Sequence, residues 1–313
     1  MQQRDRQIAA ADYAEQQAVA VSVSPAGLLA SPRPRFRRYR FRPLLVFKYT
    51  VLVGLVLVVT YPLLWVALSA LRTAGALALH PFGLPHSLRW SNYYDVLVKD
   101  GFDRNILNSL VICALSTVVV IAITAMAAYP LSRMQWRLRK IAVAYFGLGL
   151  IIPVYAALVP LYVMLAPLER SLGDQVTLAI VYLAVGIPIS TVLMMGYMAK
   201  VPSEIEEAGV IDGCSLFGVL WRIILPVTGP GIGVSATFTF LQMWNELLFA
   251  LVFLQSANQQ TVPVALQQYV GQYSTDWPAE LTSVTLALIP TLIIYLLLQR
   301  RLMSGVLAAG GIT

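Results

Sequence analysis

The chain has 313 residues, of which 58% are hydrophobic and only 12% are charged. Soluble globular domains are about half apolar and about a quarter charged, so this composition excludes them and indicates an integral membrane protein. The net charge of +7 does not indicate nucleic-acid binding, because the basic residues flank apolar stretches and do not cluster with aromatic side chains. Cys113, Cys214, His80 and His86 show neither a disulfide framework nor a convincing metal-ligand spacing.

Residues 1–43 are too charged for a cleaved signal peptide and contain the arginine-rich stretch SPRPRFRRYRFRP. We predict that they form a disordered cytoplasmic tail that sets the orientation of the chain and touches anionic membrane lipid. A regulatory or protein-docking role for this tail stays open.

Six later stretches are apolar over about the 20 residues that a helix needs to cross the hydrocarbon core. None shows the alternation of a barrel strand, so the sequence predicts an all-α membrane protein with six transmembrane helices. We divide it into a first helix with an external segment (44–106), a core (107–299) and a cytoplasmic tail (300–313). The predicted spans are Thr50–Leu71, Leu107–Leu131, Ile141–Leu165, Gln175–Met198, Gly229–Leu254 and Leu281–Leu298.

The orientation follows from the basic residues, which concentrate in cytoplasmic segments of membrane proteins. If the N-terminus is cytoplasmic, only five of the 22 Lys and Arg residues fall outside. We therefore predict that both termini are cytoplasmic. The five external basic residues are then Arg72, Arg89, Lys99, Arg104 and Arg170.

The connection between the fourth and fifth spans runs against this bias. It holds the acids Glu204, Glu206, Glu207 and Asp212 against the two basic residues Lys200 and Arg222. We name residues 201–226 the elbow. An interfacial helix favours Lys and Arg on its polar face, so the acids fit better a projection that docks on another protein.

Local signals predict two short helices within the elbow. Pro202 stops the preceding span, and Ser203 with Glu206 has the spacing of a capping box. Gly213 is placed to end the first helix in a left-handed conformation, and an apolar second segment restarts at Ser215.

The elbow resembles the cytoplasmic "EAA" loop of binding-protein-dependent ABC importer permeases. The pattern of that family is Glu-Ala-Ala, three residues, Gly, nine residues, then Ile-x-Leu-Pro. Gly209 stands where the family has its second Ala, which should cost about 1 kcal/mol of helix propensity. The matching positions here are Glu207, Ala208, Gly209, Gly213, Ile223, Leu225 and Pro226.

Further segments resemble the carbohydrate subfamily, of the type of the second maltose permease subunit. They are SNYYDVL, LNSLV, AAYPLSR, MWNELLF and RRLMSGVLAAGGIT, although the lysine usual near the end of the last is absent. The resemblance covers about Thr50 to the C-terminus and leaves out the arginine-rich tail.

This resemblance implies a type I ABC importer permease core in a prokaryotic-type inner membrane. It implies an ABC ATPase dimer, a second and different permease subunit, and an extracytoplasmic solute-binding protein as partners. The elbow would be a coupling helix that fits a cleft on the ATPase. The residues that would carry this coupling are Glu206, Glu207, Ala208, Gly209, Asp212 and Gly213.

The chain itself is predicted to be a transport subunit without an enzymatic activity or a cofactor. None of its lysines follows Gly and precedes Ser or Thr, so it has no Walker-A site. ATP and Mg²⁺ would be bound by the partner ATPase.

Polar residues on one face of the fifth span mark a candidate substrate path. Ser235, Thr239, Gln242 and Glu246 are spaced so that they stay within about 60° of one another on a helix, and Asn245 lies beside them. The residues line the path, or their polar groups join packed helices. We expect Glu246 to have a structural or gating role, because an acid in the membrane does not face lipid.

The sequence thus predicts the permease of a sugar importer that works by alternating access. Two alternatives stay open: an ABC importer of an amino acid, polyamine or ion, and a secondary carrier that needs no ATPase. The acidic elbow favours the ABC importers, because a proton-coupled carrier has no need for it.

Overall fold

The computed structural model describes residues 43–85, 87–271 and 275–310. The predicted tail up to residue 42, His86 and the last three residues lie outside this part of the chain. Within these ranges the named secondary-structure elements are all helices, and the prediction of an all-α membrane protein is confirmed. The chain divides into two compact units at Val58, and the packing described below belongs to the second, Val59–Thr313.

Fourteen α-helices follow one another in the described ranges. Two π-helical turns, Asp95–Lys99 and Leu220–Ile224, continue α3 and α9. The helices are α1 (Pro43–Ser69), α2 (Ala74–Leu79), α3 (Ser91–Tyr94), α4 (Phe102–Arg133), α5 (Arg139–Ile151), α6 (Leu158–Leu172), α7 (Asp174–Met198), α8 (Ser203–Ile211), α9 (Leu216–Val219), α10 (Leu225–Val227), α11 (Gly229–Trp244), α12 (Leu248–Phe253), α13 (Val262–Leu266) and α14 (Trp277–Gly310).

Four helices of the described residues, α1, α4, α7 and α14, are long and apolar enough to cross a membrane. Two further spans are possible only as broken pairs. The chain bends by 86° between α5 and α6, and by 77° between the segment Leu216–Val227 and α11. By length and composition, the described residues therefore hold four continuous spans, or six if each bent pair counts as one. The 77° bend lies before the fifth predicted span, Gly229–Leu254, and not within it.

The third predicted span, Ile141–Leu165, is not one continuous helix in the structure. α5 ends at Ile151, and Pro153 follows with extended backbone angles. Proline has no N–H to continue the helical hydrogen bonds and disfavours helical geometry in the residue before it. The bend follows from this one residue, and α6 begins afresh at Leu158.

The fifth and sixth predicted spans also differ from the observed helices. The fifth, Gly229–Leu254, ends early at Trp244, and α12 starts after a break. The sixth, Leu281–Leu298, is the apolar middle of the longer helix α14. A hydropathy pattern marks where a chain is apolar, and helices continue beyond that until a residue or a cap ends them.

Two hydrophobic clusters position the functional elements. α4 packs along α7, and α11 packs against both. The larger cluster joins these helices to α12 and α13 through large buried side chains such as Phe102, Tyr182 and Phe249. The smaller cluster packs Met194 and Met198 of α7 and the end of α4 against the apolar arm of the elbow. The elbow is therefore seated on the ends of two membrane helices.

Candidate functional site

The elbow forms the two short helices that the sequence predicts. α8 begins at Ser203, directly after Pro202. α9 begins after Ser215, whose hydroxyl accepts a hydrogen bond from the backbone N–H of Gly218 at 3.2 Å. Side-chain capping of this kind satisfies a free N–H at the start of a helix.

A glycine sets the turn between the two helices. Gly213 has a φ of +83°, in the left-handed region that glycine adopts without strain. The N–H of Cys214 donates to the carbonyl of Gly209, and the N–H of Gly213 donates to that of Val210, each at 3.0 Å. This pair of hydrogen bonds is the Schellman motif, which closes the end of a helix.

The predicted capping box at the start of α8 is wrong. The side chain of Ser203 caps nothing, and Glu206 faces α4 instead. Its Oε1 accepts a hydrogen bond from Nε of Arg133 at 2.6 Å. Arg133 Nη1 also donates to the carbonyl of Val201 at 2.7 Å. The carboxylate would be charged with either partner, but only Arg133 adds a positive charge of its own, which favours the ion pair at the end of α4 over the local backbone N–H.

The glycine in the family motif fills a packing role that the sequence did not reveal. Gly209 is buried, and a Cβ added to it would overlap Cδ1 of Ile223, on the other arm of the elbow. The two arms therefore approach closely at this point. The predicted loss of helix propensity is accompanied by a specific contact, which an alanine would obstruct.

The outward surface of the elbow is acidic and apolar. Glu204, Glu207, Ala208 and Asp212 are exposed. Ile211, at the tip, has 85% of its surface accessible. Such a surface can pair with basic groups and bury an apolar side chain on another protein.

The substrate-path candidates separate into two groups. Ser235 and Thr239 are enclosed by the protein, and Thr239 Oγ1 lies 2.6 Å from Oγ of Ser190 on α7. Gln242 and Asn245 are exposed. The structure thus brings Thr239 into contact with α7 and leaves the two amides at the surface, while the hydroxyl of Ser235 is buried without a hydrogen-bond partner among the described residues.

Glu246 is buried at the break between α11 and α12. Its carboxylate accepts hydrogen bonds from the backbone N–H groups of Phe249 at 2.8 Å and Ala250 at 3.0 Å, and from the hydroxyl of Tyr182 at 3.2 Å. The two backbone N–H groups belong to the first turn of α12, where they have no partner within the helix. The acid therefore caps the start of the new helix.

A small cleft of about 30 Å³ lies beside this break. Gln242 and Glu246 line it, together with Tyr155, Tyr182 and Gly186. Tyr155 is half-exposed and its ring centre lies 5.6 Å from that of Phe249. An amide and an aromatic face are the groups that bind hydroxyls and C–H surfaces of a small solute.

Side chains also pin a segment at the end of the bundle opposite the elbow. Asn105 Nδ2 donates to the carbonyl of Gln260 at 3.0 Å, and the hydroxyl of Tyr269 donates to Asp100 at 3.0 Å. Burial, and then the charge of Asp100, raise the pKa of Tyr269. Tyr269 therefore stays protonated and keeps this hydrogen bond throughout the physiological pH range.

Gly209→Ala should lower the thermal midpoint of unfolding of the detergent-purified protein. Overpacking costs about 1–3 kcal/mol, against about 1 kcal/mol gained in helix propensity. Ile223→Val removes Cδ1, so the double variant should be at least as stable as Ile223→Val alone. An equal loss from Gly209→Ala in both backgrounds would contradict the contact.

Glu246→Ala should destabilise the protein by about 1–3 kcal/mol, because two buried N–H groups lose their acceptor. Thermal unfolding of the purified protein measures this. Glu246→Gln keeps one acceptor oxygen and should lose less, and Tyr182→Phe, which spares the helix cap, least. If Glu246→Ala unfolds like the unmodified chain, the carboxylate does not hold the start of α12.

Comparison with known proteins places these features in a family. Residues 118–307 match the sequence profile of the binding-protein-dependent transport system inner membrane component. The probable ABC transporter permease protein YurM of Bacillus subtilis is 33% identical over 81% of this chain and 84% of its own. The sulfoquinovosyl glycerol transport system permease protein SmoH of Agrobacterium fabrum is 28% identical over 80% and 88%.

Other comparisons agree in fold and in kind of transport. The diacetylchitobiose uptake system permease protein NgcG of Streptomyces coelicolor is 27% identical over 80% of this chain and 83% of its own. A chain of a bacterial ABC transporter involved in the import of the acidic polysaccharide alginate has the same fold, with a TM-score of 0.71 and 19% identity over 83% and 97% of the two chains. The chain belongs to the family of inner membrane permease components of binding-protein-dependent transport systems.

Proposed function

We propose that this chain is a permease subunit of an ATP-driven sugar importer, coupled to a separate ATPase through α8. The observation that carries the proposal is the geometry of the elbow. Glu206 of its first helix forms an ion pair with Arg133, and the remaining acids of that helix are exposed. A rigid projection with an acidic, apolar surface can fit a cleft on another protein and receive its movement.

The cargo we propose is a glycoside or a short oligosaccharide. Three of the relatives are named for sulfoquinovosyl glycerol, diacetylchitobiose and alpha-glucoside transport. The chemistry of two residues that line the small cleft supports this. Once the path opens to admit a solute, Gln242 would offer an amide for hydroxyl groups and Tyr155 an aromatic face. We assign solute contact to Gln242, which lines the cleft, and helix packing to Thr239, which meets Ser190. Asn245 is exposed but lies outside the lining of the cleft, and its Nδ2 donates to the carbonyl of Leu241 at 2.8 Å.

The remaining partners follow from the family. A dimer of ATPase subunits would bind ATP and Mg²⁺, a second and different permease subunit would complete the path, and an extracytoplasmic binding protein would deliver the solute. Closure of the ATPase dimer would displace the elbow, and the bundle would open outward by alternating access. In this scheme Glu207, Ala208 and Asp212 contact the ATPase.

Glu207→Lys should abolish capture of the ATPase by the tagged chain and reduce solute uptake about tenfold or more, because reversing a charge in an interface brings like charges together. Co-purification from membranes and uptake of radiolabelled diacetylchitobiose, alpha-glucosides and glycosyl glycerols by cells measure the two effects. Binding of the same compounds to the cognate binding protein identifies the cargo.

Glu169→Lys is the matched control, because it makes the same charge change in the last turn of α6, away from the elbow, where a cation suits the helix dipole. It should leave capture and uptake unchanged. The proposed coupling is wrong if Glu207→Lys behaves like Glu169→Lys, or if the unmodified chain never captures an ATPase.

A further inference from the structure

The two neighbouring acids of α8 have different surroundings. Glu207 is exposed, while Glu206 is paired with Arg133 inside the protein. The elbow is covalently continuous with α7 and with α11, but not with α4. Arg133 is the last residue of α4, so the ion pair is a link that the covalent chain does not supply.

This link has the properties of a firm connection. The Arg133 and Glu206 side chains are only 11% and 18% exposed, with 2.6 Å between Nε and Oε1. Arg133 also holds the carbonyl of Val201, at the exit of α7. Partly buried, charge-assisted pairs with two hydrogen-bonded nitrogens are firmer than exposed surface pairs, and a cation suits the C-terminal end of α4.

α4 carries this connection to the other end of the bundle. It is one helix of 32 residues, about 48 Å long at 1.5 Å per residue. Near its start, Asn105 donates to the carbonyl of Gln260, and the hydroxyl of Ser109 accepts from the N–H of Val262 at 2.8 Å. Both partners belong to the segment that enters α13. These two hydrogen bonds connect the start of α4 to that segment.

We propose that Arg133 is a positioning residue that transmits displacement of the elbow to α4, and through α4 to the segment entering α13 at the opposite end. We name the ion pair of Arg133 and Glu206 the strut. Glu206 belongs to the strut and does not contact the ATPase. This assignment rests on the proposed function, because it presumes that an ATPase moves the elbow. The two neighbouring acids of α8 then have different roles: Glu206 pairs with Arg133, and Glu207 docks on the ATPase.

The test uses Arg133→Gln, Glu206→Gln and the double variant in the complete importer, purified with its co-purifying ATPase and reconstituted in liposomes. One readout is the amount of ATPase retained per tagged chain. The other is labelling of a Gln242→Cys thiol by a membrane-impermeant maleimide, with and without trapping by ATP and vanadate. Cys113→Ala and Cys214→Ala remove the native thiols.

Each single variant should retain the ATPase and reduce the trapping-dependent change in labelling about tenfold, the size of an ordinary coupling between sites. The double variant should lose no more than the worse single variant, because both changes break one interaction. Arg133→Lys, which keeps the charge, should retain most of the response.

Three results would overturn the strut. One is an unchanged labelling response in both Arg133→Gln and Glu206→Gln. Another is a loss of ATPase retention in Glu206→Gln but not in Arg133→Gln, which would place Glu206 at the docking surface. The third is a loss of folded protein with an unchanged response per retained ATPase, which would make the pair structural only.

The matched variant Glu207→Gln separates this proposal from the proposed function. It removes the outward acid and should lower ATPase retention while leaving the strut intact. If Glu207→Gln and Glu207→Lys both leave retention and response unchanged, docking through α8 fails. If they act as expected and the Arg133 and Glu206 variants do not, only the strut fails.

Discussion

The structure depends on the requirement that backbone polar groups inside a membrane find partners within the protein. A helix can stop there only where something replaces its own hydrogen bonds. At the break after α11, the carboxylate of Glu246 takes two N–H groups of α12, and Tyr182 donates to the same group. An acid at membrane depth costs about 2.5–3.5 kcal/mol on insertion scales, and these three hydrogen bonds offset part of this cost, since no basic partner of Glu246 lies among the described residues.

Much of this architecture could be predicted because its causes are local in sequence. Apolar length marks the spans, and Pro202, Gly213 and Ser215 mark the limits of the elbow helices. The pairing of Arg133 with Glu206 could not be predicted, since 73 residues separate them and no periodicity connects a helix end to a later loop. The AAYPLSR segment resembles the family and ends in Arg133, but this resemblance does not indicate which residue pairs with the arginine.

The polar stripe on the fifth span is a pattern that the sequence predicted and that the structure does not keep as one face. Its spacing assumed one regular helix as far as Glu246, but α11 ends at Trp244. Glu246 still lines the cleft with Gln242, but its carboxylate accepts hydrogen bonds from the N–H groups of α12. The remaining members divide by what covers them, because Thr239 meets Ser190 of α7 and Gln242 meets the cleft. Periodicity shows which residues share a face, while the neighbouring helices decide whether that face is packed or open.

The acidity of the elbow is consistent with a cytoplasmic position, because orientation is set by Lys and Arg and only weakly opposed by acids. Pairing with Arg133 neutralises Glu206 within the chain, so the charge offered outward comes from Glu204, Glu207 and Asp212. A partner surface complementary to this one would be basic, with an apolar recess for Ile211 at the tip. The close fit of Gly209 against Ile223 and the Schellman turn at Gly213 stiffen the elbow between these points. In the proposed coupling, a push on the docking face would therefore pass to the helices on which the elbow is seated, because the elbow itself has little freedom to bend.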